Sequence, residues 1–196
     1  MRFTSTLLLC LLAPAAALAA TTPPPPAGCA TKESRQFDFW VGTWDVHPKA
    51  TPQKKVATSV IENLYHGCAI RENWMPLSDH PGGSINAWSP QKKVWRQLWA
   101  DSDGGSALFE GGWNGKAMVL TGVWPQPGHP TQMTRMTYAP LADGSVEQSG
   151  VTSDDNGKTW QLSFDLIYVR AKKLALCSNS GALNFPTSLA AYSRRA

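Results

Sequence analysis

After its first twenty residues the chain has no apolar run approaching the roughly 20 residues that a membrane-spanning helix requires, and no sustained helical periodicity. It lacks a G-x-S-x-G elbow, a P-loop and a Rossmann glycine fingerprint, so nothing points to serine hydrolase, nucleotide-phosphate or dinucleotide chemistry. Basic residues are not gathered on one face. They fall in scattered pairs, such as Lys54-Lys55 and Lys92-Lys93, which at a formal charge of +4 argues against a nucleic-acid partner. His47, His66, His80 and His129 lack the spacing of a metal pair, and no two cysteines are close enough for a zinc site. No metal and no cofactor is expected.

What is present begins with a leader. Arg2 supplies a positive charge, residues 7–20 form a short Leu- and Ala-rich run broken by Pro14, and Ala17-Leu18-Ala19 offers a small-x-small cleavage pattern. We expect a signal peptide over residues 1–19 and a protein that is periplasmic or secreted, without a transmembrane segment. Cys10 lies too early and Cys29 too late for lipid attachment. A Pro-rich spacer is read over 20–36, with four consecutive prolines at 23–26. The folded domain is expected over 37–170 and a C-terminal tail over 171–196. Cys29, Cys68 and Cys177 follow the leader, so an oxidising compartment predicts one disulfide, with three pairings open. Cys68–Cys177, which ties the tail to the domain, is preferred.

The remainder reads as short alternating runs rich in Trp, Val, Thr and Tyr, at 38–46, 57–66, 69–75, 84–89, 94–101, 107–113, 117–124, 132–139, 146–153 and 159–170. Asp103-Gly104, Asn114-Gly115, Asp143-Gly144 and Asn156-Gly157 supply hairpin turns between them. The expected fold is all-β, an antiparallel up-and-down barrel of about eight to ten strands whose closure hides its edges. A β-sandwich is the alternative.

Two motifs stand out. Gly42-Thr43-Trp44 resembles the G-x-W signature of lipocalins, in the larger calycin group. The resemblance implies a lipocalin-like barrel in which Trp44 plugs the closed end and Arg170, at the end of the last strand, packs across it. The wider segment Phe37-Asp38-Phe39-Trp40-Val41-Gly42-Thr43-Trp44-Asp45 resembles the opening of an uncharacterised group of bacterial secreted proteins with such barrels. That likeness extends over most of the chain and implies no activity. Ser153 to Trp160 fits the S-x-D-x-G-x-T-W pattern of the Asp-box, which recurs from blade to blade in sialidase propellers. It occurs once here and the chain has no internal repeat, so a propeller is excluded. Its role is read as structural, with Asp155 accepting from turn amides and Trp160 stapling the hairpin.

Strand alternation sorts side chains into faces. Trp160, Leu162, Phe164, Leu166 and Tyr168 share one face, read as core. Trp95, Gln97, Trp99 and Asp101 share a second, and Ile70, Glu72 and Trp74 a third. If the Trp-bearing faces point inward, Glu72, Gln97 and Asp101 point inward with them, and buried carboxylates need partners. Arg135 is the candidate partner. Gln148, in phase with Val146, and Asn86, in phase with Trp88, join the polar set, and His66 is the one histidine placed to reach a pocket.

The leading expectation is a binding protein that holds a small apolar or aromatic ligand among Trp74, Trp88, Trp95, Gln97, Trp99, Arg135, Gln148 and His66. The second is a cofactor-free acid–base enzyme, an isomerase, cyclase or lyase, using Glu72 and Asp101. The third is an envelope interaction protein that uses its outer surface.

Overall fold

A computed structural model describes residues 29–172. The expected signal peptide, Cys177 and nearly all of the tail lie outside the described residues. Ten strands follow in chain order: β1 (Gly42–Pro48), β2 (Ala57–Leu64), β3 (Ala69–Pro76), β4 (Gly82–Ser89), β5 (Val94–Asp101), β6 (Ser106–Trp113), β7 (Met118–Val123), β8 (Met133–Pro140), β9 (Val146–Ser153) and β10 (Gln161–Arg170). Each pairs antiparallel with its neighbours in sequence, and β1 pairs with β10 to close the barrel. It is an all-β, up-and-down barrel, an architecture consistent with a calycin-like fold. The turn signals act where the sequence places them: Gly104, Gly115, Gly144 and Gly157 all have positive φ. Among the described residues no helix is long and apolar enough to cross a membrane.

Closure leaves no free sheet edge but leaves two open ends. The segment before β1 covers one of them. Two short 3-10 turns, Glu33–Arg35 and Asp38–Trp40, lay Phe37 and Trp40 across that end, both fully buried. The Phe37 ring stacks on Trp40 at 4.9 Å and meets Trp95 edge-on at 5.7 Å. Trp95 donates from Nε1 to the Glu33 carbonyl at 3.1 Å, and Trp44 donates to the Trp40 carbonyl at 2.8 Å. Residues 29–36, read from the sequence as part of a spacer, thus pack against the barrel end.

The disulfide corrects the sequence reading. Cys68 bonds to Cys29, not to Cys177. The bond joins the covering segment to the β2–β3 turn, where Arg35 also donates to the Gly67 carbonyl at 3.2 Å. Its effect is to hold the end cover in place.

Arg170 lies over the Trp44 ring at 3.8 Å and donates to the Val41 carbonyl at 2.7 Å. Gly42 makes room for it: φ is +151° and a Cβ there would collide with the guanidinium. The last strand holds a second correction. Its register shifts between Leu162 and Phe164, so Leu162 pairs with outward Val151 while Phe164 pairs with inward Gly150. This β-bulge breaks the alternation. Phe164, Leu166 and Tyr168 face the interior, whereas Leu162 is 67% exposed. Trp160 lies on the outside, under Arg135 at 4.0 Å.

Candidate functional site

The interior reads in layers from the covered end upward. Phe37, Trp40, Trp44 and Trp95 form an apolar floor. Above it β3, β4, β5 and β9 each turn a polar side chain inward: Glu72, Asn86, Gln97 and Gln148, all buried. Nearer the opposite end, Trp74, Trp99, Trp124 and Phe164 are only half-buried. Between the polar layer and this aromatic rim lies a cavity of about 270 Å³. At about 30 Å³ per water that is room for about nine waters, or for one small organic molecule.

Glu72 is the centre of the polar layer. Its Oε2 accepts from Ser84 Oγ at 2.9 Å and its Oε1 from Ser59 Oγ at 3.4 Å. Asn86 donates to Ser84 Oγ at 3.0 Å, and Gln97 donates to Asn86 Oδ1 at 2.7 Å. These bonds form a chain whose protons all point toward the carboxyl. Tyr138 sits within 3.2 Å of Gln97 Nε2, and Tyr168 donates to Gln148 Oε1 at 2.5 Å.

The electrostatics follow from this burial. Glu72 is 5% exposed with no cation among its partners, so desolvation outweighs the two serine bonds and raises its pKa from 4.5 to about 7. Burial, with Glu72 nearby, also drives both tyrosine hydroxyls well above the usual phenol range. Both therefore stay neutral at any physiological pH.

The residues singled out in the sequence separate cleanly. Glu72, Trp74, Gln97, Trp99 and Gln148 line the cavity. Trp95 is buried in the floor, and Trp88 packs on the core from β4 without reaching the cavity. Arg135 does not partner Glu72: Thr134, Met136 and Tyr138 take the inward phase of β8, which turns Arg135 outward onto Trp160. His66 is exposed in the β2–β3 turn at the covered end, with φ of 59°. Asp101 is a turn residue, accepting from Gly105 N at 2.8 Å, Asp103 N at 3.1 Å and Trp99 Nε1 at 3.1 Å. Asp155 closes its own hairpin, accepting from Lys158 N at 3.0 Å, Thr159 N at 2.9 Å and two hydroxyls, which hold its pKa down to about 2.

Sequence reasoning did not single out Tyr138, Trp124, Met136 or the two serines on Glu72. Tyr138 and Met136 sit on a strand with apolar groups on both faces, where alternation gives no preferred side. Ser59 and Ser84 are small and polar, a type usually found on surfaces. The one available signal was phase: Ser84 alternates with Asn86 and Trp88 on β4, and pairing then sets it directly across from Glu72.

Among the described residues no group of three or more His, Cys, Asp or Glu could hold a metal ion. What the arrangement offers is a single proton-exchanging carboxyl, neutral hydrogen-bonding groups around it and aromatic faces above. No known protein family matches the chain, and no curated protein matches it in sequence.

Proposed function

We propose that the protein binds one small, largely apolar or aromatic molecule inside its barrel. The observation that carries this reading is the cavity itself: about 270 Å³ walled by Trp74, Trp99, Trp124 and Phe164 over a layer of hydrogen-bonding groups. Apolar walls with a few placed polar groups are the usual make-up of a ligand site. Barrels of this size class commonly enclose one ligand. Export to the periplasm or beyond is supported by the leader pattern and by the Cys29–Cys68 disulfide, a bond that persists in oxidising compartments.

The test is native mass spectrometry of protein purified from an exporting host, followed by tryptophan fluorescence. A small-molecule adduct is expected, and its removal should change the emission of the three rim tryptophans. Protein without an adduct, whose emission ignores a panel of aromatic compounds, would overturn the reading.

A second reading, catalysis in the same cavity, is favoured by Glu72. A carboxyl with a pKa of about 7 both accepts and donates a proton near neutral pH, as general acid–base chemistry requires. Asp101 takes no part, since its oxygens serve the turn. An isomerase or lyase of this kind would lose turnover in Glu72→Gln while still binding its substrate. If the cavity stays empty, the outer face gains weight. There Ile85, Leu98 and Leu108 form an exposed apolar row across β4, β5 and β6.

A further inference from the structure

We propose that the molecule held in the cavity is an organic cation, an ammonium group on an aromatic or apolar body, with Glu72 as its counter-ion. The inference rests on the reading that the cavity takes a ligand, and adds which charge that ligand carries.

Among the described residues, the cavity wall contains one carboxyl and no Lys, Arg or His. Arg170 shares the inward phase of Trp44, but its guanidinium is exposed at the covered end, occupied by the Trp44 ring and the Val41 carbonyl. Glu72 is thus buried without an opposite charge, a costly arrangement that proteins otherwise avoid. The hydrogen bonds around it are nevertheless built for the ionised form. Ser59 and Ser84 donate to its two oxygens, and Asn86 and Gln97 donate along the chain behind Ser84. A buried carboxyl needs hydrogen-bond partners in any role; what this one lacks among the described residues is a positive charge.

The rest of the wall suits such a partner. Trp74, Trp99 and Trp124 line the cavity, and aromatic rings attract cations, most strongly Trp in a desolvated site. The floor tyrosines and glutamines are neutral, so they add hydrogen bonds without competing charge.

Proton linkage gives the inference a signature. The titratable groups facing Glu72 are Tyr138 from β8 and Tyr168 from β10, both held protonated. From β2, β4, β5 and β9 the facing groups are Ser59, Ser84, Asn86, Gln97 and Gln148, which do not titrate. β1 and β6 turn the apolar Trp44 and Phe109 inward, and β7 contributes Leu120. Affinity for a permanent cation should therefore rise with pH through about 7, the Glu72 midpoint, and level off above it.

The experiment compares phenyltrimethylammonium with tert-butylbenzene, its neutral isostere, by tryptophan fluorescence titration of the full chain. At about pH 8 the cation should bind at least about tenfold more tightly. At about pH 6 its affinity should fall roughly tenfold, since about one Glu72 in ten stays ionised a unit below the midpoint. The neutral compound should show no such change, and Glu72→Gln should abolish the pH dependence and reduce the preference to what the tryptophans supply. The isostere pair is measured on the unaltered chain, so the result does not depend on the variant folding. Equal or tighter binding of tert-butylbenzene at both pH values would overturn the cation and leave a neutral-ligand cavity. Binding of neither compound, with no change in emission, would overturn the cation and count against the ligand reading itself.

Discussion

Replacing Glu72 with Gln should stabilise the protein, and only at the pH where the carboxyl would be charged. The folded barrel raises the Glu72 pKa from 4.5 to about 7, a difference of about 2.5 units. At about 1.4 kcal/mol per unit this corresponds to about 3.5 kcal/mol. The sign is set by which state holds the proton. Below about pH 4.5 Glu72 is protonated in both the folded and the unfolded chain, and the burial is not penalised. Between 4.5 and 7 the unfolded chain ionises while the folded one does not, so stability falls as pH rises. Above 7 the full penalty applies. Glutamine keeps the shape and cannot ionise, although Ser59 or Ser84 must rotate to accept from its amide, which costs about 1 kcal/mol. Urea unfolding with the disulfide intact should therefore show the variant about 2.5 kcal/mol more stable at about pH 8. It should be equal to or slightly less stable than wild type at about pH 4. A stability difference that does not change between those two conditions would refute the argument, because it would mean that Glu72 titrates alike in both states.

Three further outcomes follow from the packing. Arg170→Ala removes both the cation–π contact on Trp44 and the bond to Val41, and should cost about 1–2 kcal/mol in the same unfolding assay. Gly150→Ala drives a methyl into the Phe164 ring, and overpacking of this kind should destabilise by about 1–3 kcal/mol. Because Phe164 lines the cavity, the same variant should also shift rim-tryptophan emission; an unchanged spectrum and midpoint would show that the ring moves freely. Peptide mapping without reductant should recover Cys29 linked to Cys68, and replacing both with Ser should cost about 4 kcal/mol for a separation of 39 residues.

The sequence by itself determined the class of the fold. Hairpin glycines and period-two runs are local signals, and ten of them in series leave an antiparallel meander as the simplest arrangement. The same alternation brought Glu72, Trp74, Gln97 and Trp99 to one side of their strands, because a strand's facing is a property of its own residues. What the tertiary structure decided is everything that depends on a second strand. A single extra residue opposite Gly150 turned Leu162 and Trp160 out while keeping Phe164 in, and a bulge has no signature in alternation alone. Arg135 and Tyr138 were equally eligible for the interior until pairing with β7 and β9 fixed the phase of β8. Cys29 found Cys68 because the segment before β1 folds back over the barrel end, a long-range packing event that spacing along the chain does not encode. The lack of a positive charge around Glu72 among the described residues is likewise a fact of the closed barrel, since it takes every inward face at once to show what the interior contains.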